Sequence, residues 1–341
     1  MVSGSLYNLA RHVKNTLKGW VYVVSPDPLL NWVIRSKMPK TGQLEATTAC
    51  NLDCPLCGTH FVPRKTRNLT MAHVDNVVDA CGKRMKSVCF HLMGEPLLNP
   101  EIFKLVKRCS DQGIETSFGT NGMLIDHFSN EIIESGLSFL SVAIDGANEE
   151  DYEKYRIRGK FDKVVKNTKS FLAEKKRRGA KYPVVQVQTV MFSYNEDKED
   201  QVDEFLAEFE SEGTAKKKPN YTFDLDAGRE KGLEIKDKYY DASATFLEKV
   251  DTDPVKYKHA RPEETSKELF RNMRMCPQLE KVTALSDGRV VACCIDSMGL
   301  STFGNLNEDD FKSIWRSDAH KTIIDRFLKR ELDVCEYCTL N

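Results

Sequence analysis

Cys50, Cys54 and Cys57 stand in the run ACNLDCPLC, a C-x3-C-x2-C spacing that sets three thiolates on one short loop. Three such ligands hold three irons of a four-iron, four-sulfur cluster and leave the fourth iron open to a small molecule. Zinc is the rival occupant. It usually takes four ligands from C-x2-C pairs, and a fourth would have to come from elsewhere, His60 being the nearest candidate. A strand-like run over 42–48 precedes the loop and would deliver it to one end of a sheet.

Downstream, helix-like and strand-like segments alternate. The patterns predict helices over 74–85, 101–112, 126–135, 160–178 and 199–212, with strands over 87–92, 115–118, 139–144 and 184–191 and a weaker sixth over 221–226. Six such units imply an α/β fold, a partial (β/α)6 barrel with function at the C-terminal strand ends. Those ends carry Gly94-Glu95-Pro96, Asn121 and Asp145. A carboxylate beside backbone polar groups suits an ammonium, yet Glu95-Pro96 also reads as a helix cap with Pro at the first helical position. Asn121 and Asp145 are good turn formers as well. The lysine run in 214–220 and the charge- and Pro-rich 251–264 read as a surface loop and a linker.

A second set of cysteines closes the chain: Cys276, the adjacent Cys293 and Cys294, then Cys335 and Cys338. Asp287-Gly288 between two apolar runs marks a hairpin that places Cys293 at the end of its second strand. Successive side chains on a strand point to opposite faces, so one metal centre is not expected to use both neighbours. Cys81, Cys89 and Cys109 lie in apolar or helical surroundings and read as buried thiols.

In this order the motifs resemble the radical S-adenosylmethionine (SAM) enzymes. The resemblance implies that the open iron binds the amino and carboxylate groups of SAM, and that an electron from the cluster splits SAM into methionine and a hydrogen-abstracting 5'-deoxyadenosyl radical. Gly94-Glu95-Pro96 is similar to the Gly-Gly-Glu-Pro motif that receives the SAM amino group, with Met93 in place of the first Gly. Relatives place groups facing SAM or substrate where Asn121 and Asp145 stand, and Arg156 or Arg158 would clamp the SAM carboxylate. Leu56 replaces the usual aromatic residue and Ala143 a frequent Ser, so adenine and ribose contacts differ in detail. The C-terminal set resembles the SPASM domain, including its Gly-x4-Cys step from Gly288 to Cys293. That likeness implies one auxiliary 4Fe-4S cluster closed by Cys276, Cys293, Cys335 and Cys338, in a shortened module without the further cysteines of its relatives. Zinc in the same four-thiolate cage is the alternative. Cys294 is then a buried thiol or a catalytic hydrogen-atom donor.

Composition bounds the rest. The 341 residues are 40% hydrophobic and 30% charged, and 50 Lys plus Arg balance 51 Asp plus Glu, which leaves no electrostatic footprint for nucleic acid. No apolar run reaches the ~20 residues of a membrane-spanning helix. The first 38 residues lack a signal peptide's long apolar centre and cleavage site and read as amphipathic helices, with peripheral membrane contact through Trp20 and Trp32 as the alternative. Eleven cysteines in metal-like groups fit a reducing cytoplasm.

The expected layout is an N-terminal helical extension over 1–41, the barrel over 42–230, a linker over 231–271 and the auxiliary-cluster domain over 272–341. The expected activity is hydrogen abstraction from a small molecule of sugar, aminocyclitol or nucleoside type, leading to dehydrogenation, epimerisation or elimination, with a flavodoxin- or ferredoxin-like electron donor. About forty residues precede the first barrel strand, too few for a leader-peptide-binding module, which tilts the expectation away from a peptide-modifying maturase. A zinc-stabilised interaction scaffold is the alternative from another class.

Overall fold

The computed structural model describes residues 26–54, 57–60, 64–190, 194–195, 197–210, 214–218, 221–222, 256–257, 276–294, 296–332 and 334. Cys335, Cys338, the first 25 residues and nearly all of the expected linker lie outside them.

Among the described residues a mixed sheet of nine strands runs β11-β10-β9-β1-β2-β3-β4-β5-β6. Strands β1 (Thr41–Leu44), β2 (Ser87–Cys89), β3 (Glu115–Thr120), β4 (Phe139–Ala143), β5 (Val184–Val190) and β6 (Thr214–Lys218) are parallel neighbours in chain order. Between them run α2 (Met71–Cys81), α3 (Ile102–Ser110), α4 (Ile125–Glu134), α5 (Glu149–Tyr155), α6 (Phe161–Arg177) and α7 (Glu199–Glu210), while α1 (Asp27–Ser36) precedes β1. Crossovers between parallel neighbours are as a rule right-handed, and strands in chain order joined that way carry their helices on one face.

Each strand alternates accordingly. Leu44, Val88, Phe118, Leu140, Val142, Val185 and Val187 are buried in the core beneath the helices. The other face carries Gln43, Cys89, Ser117, Ser141, Gln186 and Gln188, all partly exposed. Strand register aligns Gln43, Cys89 and Ser117 in one row, and Ser141 with Gln186 in the next. This polar face lines the inside of the partial barrel.

The sixth strand is not where the sequence puts it. Thr214–Lys218, read as a loop from its lysines, pairs in parallel with β5 from Gln186↔Thr214 to Val190↔Lys218. Within the expected strand, β7 (Tyr221–Thr222) instead pairs antiparallel with β8 (Lys256–Tyr257), apart from the main sheet. A strand at the end of a sheet is held by backbone bonds along one side, so lysines there, which composition reads as solvated, are compatible with pairing.

The C-terminal residues extend the same sheet. Strand β9 (Val282–Ala284) runs parallel to β1, with Gln43↔Thr283 in register, and is followed antiparallel by β10 (Arg289–Val291) and β11 (Thr302–Asn305). The Asp287-Gly288 turn forms as expected, with Gly288 at φ +93°. Helices α8 (Phe311–Arg316) and α9 (Asp318–Lys329) fold back over β11. Gly304 admits α8 closely, since a Cβ there would lie 2.3 Å from Ile314 Cγ2. Under these helices His320 is buried, stacked 4.3 Å from Phe303, and its Nδ1–H donates to the Trp315 carbonyl at 2.7 Å.

Candidate active site

The cysteine loop leaves β1 through a stapled base. Leu69 N donates to the Ala46 carbonyl at 2.9 Å, Thr47 Oγ1 donates to Asn68 Oδ1 at 2.7 Å, and Asn99 Nδ2 donates to both Ala46 and Leu69 carbonyls at 2.8 and 3.0 Å. Within it Cys57 N donates to the Cys54 carbonyl at 3.1 Å and Leu52 N to Cys50 Sγ at 3.4 Å. Burial pushes the Cys54 thiol up to about 12, with the Arg156 guanidinium opposing and the Cys57 and Cys50 sulfurs adding to the rise. Cys50 is raised too, by burial first. The sulfurs therefore share one electrostatic neighbourhood. Among the described residues no three His, Cys, Asp or Glu side chains converge on a single ion. The donor set itself is three thiolates on one loop, which fits a cluster with one open iron, whereas mononuclear zinc would take a fourth ligand.

The strand-end residues gather around this loop. Gly94 adopts φ +72°, and a Cβ on it would lie 2.3 Å from the Thr47 carbonyl oxygen and 2.7 Å from that of Ala49. Only glycine lets the turn after β2 pass this close beneath the loop. Glu95 N then donates to the Ala49 carbonyl at 2.7 Å, and Thr59 Oγ1 accepts from Gly94 N at 3.0 Å. The Glu95 carboxylate, 2% exposed, accepts from Thr120 Oγ1 (2.8 Å), Asn121 N (2.8 Å) and Leu97 N (3.1 Å). Burial raises its pKa against those three donors. The capping geometry is thus realised, Pro96 opening a single 3-10 turn, Pro96–Leu98, and the same carboxylate also grips the end of β3.

Asn121 bridges the other way: its Nδ2 donates to Asn51 Oδ1, inside the cysteine loop, at 2.8 Å. Asp145, fully buried, accepts Val190 N at 2.9 Å and Arg156 Nε at 2.8 Å, and also pairs with Arg156 Nη2. Arg158, at φ +69°, is mostly exposed and lies 3.7 Å from Asp53. Gly94, Glu95, Pro96, Asn121, Asp145 and Arg156 thus all meet around Cys50, Cys54 and Cys57.

In the second set, Cys276 and Cys293 are buried and Cys294 is partly exposed. The strand alternation argument does not govern the adjacent pair, because β10 ends at Val291 and a turn follows, Asp296 N donating to the Cys293 carbonyl at 3.1 Å. Both thiols come together there: a side-chain hydrogen bond with Cys293 lowers the Cys294 thiol to about 7, against burial and with help from Lys281. Cys89, on the polar face of β2, lies within electrostatic reach of Cys294.

Sequence reasoning missed the joint between the two cysteine sets. Glu45, buried at the end of β1, takes Arg64 bidentately with both contacts at 2.7 Å, and accepts Ser286 N at 2.9 Å and Ser286 Oγ at 2.7 Å. A charged residue following Leu44 in an otherwise buried strand end was the available signal.

An open-cornered thiolate site at the C-terminal mouth of a parallel partial barrel, beside a hairpin with further cysteines, defines an iron-sulfur enzyme of the radical type. The radical SAM superfamily model matches residues 44–208, and SPASM, an iron-sulfur cluster-binding domain, matches 276–339. The chain belongs to the radical SAM superfamily and carries a SPASM domain. Its cofactors are accordingly a 4Fe-4S cluster, SAM and auxiliary iron-sulfur chemistry, and members draw electrons from an external reductant. The AdoMet-dependent heme synthase of Methanosarcina barkeri is 30% identical over 141 residues, 39% of each chain. The GTP 3',8-cyclase of Chlorobaculum tepidum is 30% identical over 134 residues, 38% of this chain and 40% of its own. The chain thus spans about two fifths of the length of these curated relatives. Among solved structures, Streptococcus suis SuiB bound to the precursor peptide SuiA aligns with TM-score 0.57 at 16% identity, covering 86% of this chain and 68% of its own. The anSMEcpe structure with bound AdoMet gives 0.54 at 18%, covering 85% and 81%. At such identities the likeness shows the fold alone. No helix among the described residues is long and apolar enough to cross a membrane.

Proposed function

We propose that this protein abstracts hydrogen from a small polar molecule of the sugar, aminocyclitol or nucleoside type, using Cys50, Cys54 and Cys57 to hold the SAM-binding cluster. The observation that carries this reading is the lining of the barrel. Gln43, Ser117, Ser141, Gln186 and Gln188 present uncharged amides and hydroxyls on its inner face, and the buried Ser141 Oγ and Thr283 Oγ1 have no hydrogen-bond partner among the described residues. Unpaired buried hydroxyls cost stability, so a ligand bearing several hydroxyl or amide groups that satisfies them is favoured.

When bound, SAM supplies a 5'-deoxyadenosyl radical on one-electron reduction, which reaches C–H bonds that acid or base side chains cannot touch at neutral pH. The chain's own residues position the partners. The Gly94-Glu95-Pro96 turn would receive the SAM ammonium, for which Glu95 retains acceptor capacity beyond its three internal donors. Asn121 and Asp145 hold the adjoining strand ends, and Arg156 completes the rim. Cys276 and Cys293, together with Cys335 and Cys338 of the sequence, would hold one auxiliary cluster. Cys294, partly exposed and within electrostatic reach of Cys89 on the barrel's polar face, would be the group that returns hydrogen to a substrate radical. A flavodoxin- or ferredoxin-like donor would supply the electron in a reducing cytoplasmic setting.

The test is 5'-deoxyadenosine formation by anaerobically reconstituted protein with dithionite, across panels of polyhydroxylated metabolites, nucleosides and peptides. A polyol or nucleoside should accelerate it. Acceleration by peptides alone would make the protein a peptide-modifying maturase, and colourless zinc-loaded protein would make it an interaction scaffold.

A further inference from the structure

We propose that Arg156 sets the electron affinity of the SAM-binding cluster, by donating an N–H···S hydrogen bond from Nη1 to the Cys54 sulfur; this rests on Cys54 being a cluster ligand.

The geometry is built from both sides. Helix α5 ends where Arg156 N donates to the Tyr152 carbonyl at 2.8 Å, and the chain turns at once, Gly159 N donating to the Arg156 carbonyl at 2.7 Å. Asp53 N, next to Cys54, donates to the Ile157 carbonyl at 3.0 Å, which docks this turn on the cysteine loop. Asp145 is fixed through Val190 N, and it engages Nε and Nη2 of the guanidinium. The remaining edge is Nη1, which lies 3.8 Å from Cys54 Sγ. The Tyr155 ring sits 5.5 Å from the guanidinium carbon, and the Arg156 side chain is 17% exposed. The planar fork is thus aimed by the carboxylate behind it, a task a flexible ammonium would do poorly.

Reducing the cluster adds one negative charge that spreads onto its thiolate ligands. A cation in hydrogen-bonding contact with one of those sulfurs stabilises the reduced form, and solvent exclusion around Cys54, 5% exposed, strengthens the effect. Asp145 offsets part of it. Because the carboxylate holds the far side of the guanidinium, the pair presents its positive end to the sulfur and the net sign favours the electron. Asp145 and Arg156 therefore act on the cofactor through its ligand as well as by forming the rim.

The experiment is an EPR-monitored redox titration of the reconstituted holoenzyme before SAM is added, with iron content and SAM affinity measured on the same samples. Arg156→Gln should keep its iron but show a reduced-to-oxidised ratio about tenfold lower at one ambient potential, equivalent to ~59 mV for a one-electron couple. Should Arg156→Gln fail to hold iron, Arg156→Lys carries the comparison. It keeps the charge yet loses the aimed N–H, so its ratio should fall by a smaller factor. An unchanged ratio with weakened SAM affinity would overturn the proposal and leave Arg156 as a clamp for the SAM carboxylate. Cys54→Ala is measured alongside: persistence of the SAM-responsive cluster signal in that variant would remove the ligand assignment itself, an outcome separate from any result at Arg156.

Discussion

The Asn121 side-chain amide donates to Asn51 Oδ1 at 2.8 Å, so the end of β3 holds the cysteine loop at a point between its first two cysteines. The same Asn121 closes its own turn by accepting Met123 N at 3.0 Å. Asn121→Ala should therefore loosen the loop at a cost of about 1 kcal/mol. Iron release to a chelator under anaerobic conditions should be faster in Asn121→Ala and in Asn51→Ala, and the double variant should add little to either. Additive rates would show that the two amides act separately.

Glu95→Gln trades a carboxylate for an amide where three donors converge. One oxygen can still accept, but the NH2 group must face the Thr120 hydroxyl or a backbone N–H. The expected cost to folding is about 1–3 kcal/mol, together with a raised SAM dissociation constant. Unchanged SAM affinity alongside lowered thermal stability would confine Glu95 to shaping the turn.

Gly94→Ala forces a methyl group against two backbone carbonyls that have no room to withdraw. The steric clash and the positive φ together should destabilise the fold by about 3 kcal/mol or more, and cluster loading should drop with it. Wild-type melting temperature and iron content in this variant would contradict the close passage of the β2 turn beneath the loop.

His320 provides a pH dependence. Burial, its largest cause, lowers the imidazole to about 4, while the Trp315 carbonyl opposes. An unfolded chain would protonate it near ~6.5, so between these values the unfolded state holds more protons and stability falls as pH falls. The contribution is fully present above ~6.5. From pH 7 to pH 5 the wild-type protein should lose roughly 2 kcal/mol more than His320→Phe, read from urea midpoints. Parallel pH slopes for the two proteins would refute it.

Iron counting separates the adjacent cysteines. Cys293→Ala should lower iron content, whereas Cys294→Ala should keep it and, if Cys294 returns hydrogen, still yield 5'-deoxyadenosine without finished product. The reverse pattern of iron loss would exchange the two assignments. Normal turnover in Cys294→Ala would leave it a bystander thiol.

Much of this architecture is legible in the residues. The alternation of apolar and polar positions in β3, β4 and β5 marks strands whose two faces meet different surroundings, and the boundaries found lie within a few residues of those expected. Helix α2 begins earlier than its apolar pattern because Thr70 caps it in a box closed by His73, a partner that simple capping patterns omit. The cysteine loop could be read because its chemistry is local. Arg156 and Cys54, a hundred positions apart, could not: no spacing tells which edge of a guanidinium a distant carboxylate leaves free. Nor does sequence reveal that Glu45 waits for Ser286, since that contact exists only once β9 lies beside β1.

The pairing of Leu44 with Ala284 has a consequence in time. A ribosome releasing ~5–20 residues per second delivers β1 roughly ten to fifty seconds before the strand that covers its outer edge. Through that interval the strand leading into the cysteine loop keeps a bare row of amides and carbonyls, and Glu45 lacks its hydroxyl partner. A fragment ending before β9 is therefore not a smaller version of this enzyme but a nascent sheet with one side unsealed, ready to pair with any stray strand it meets.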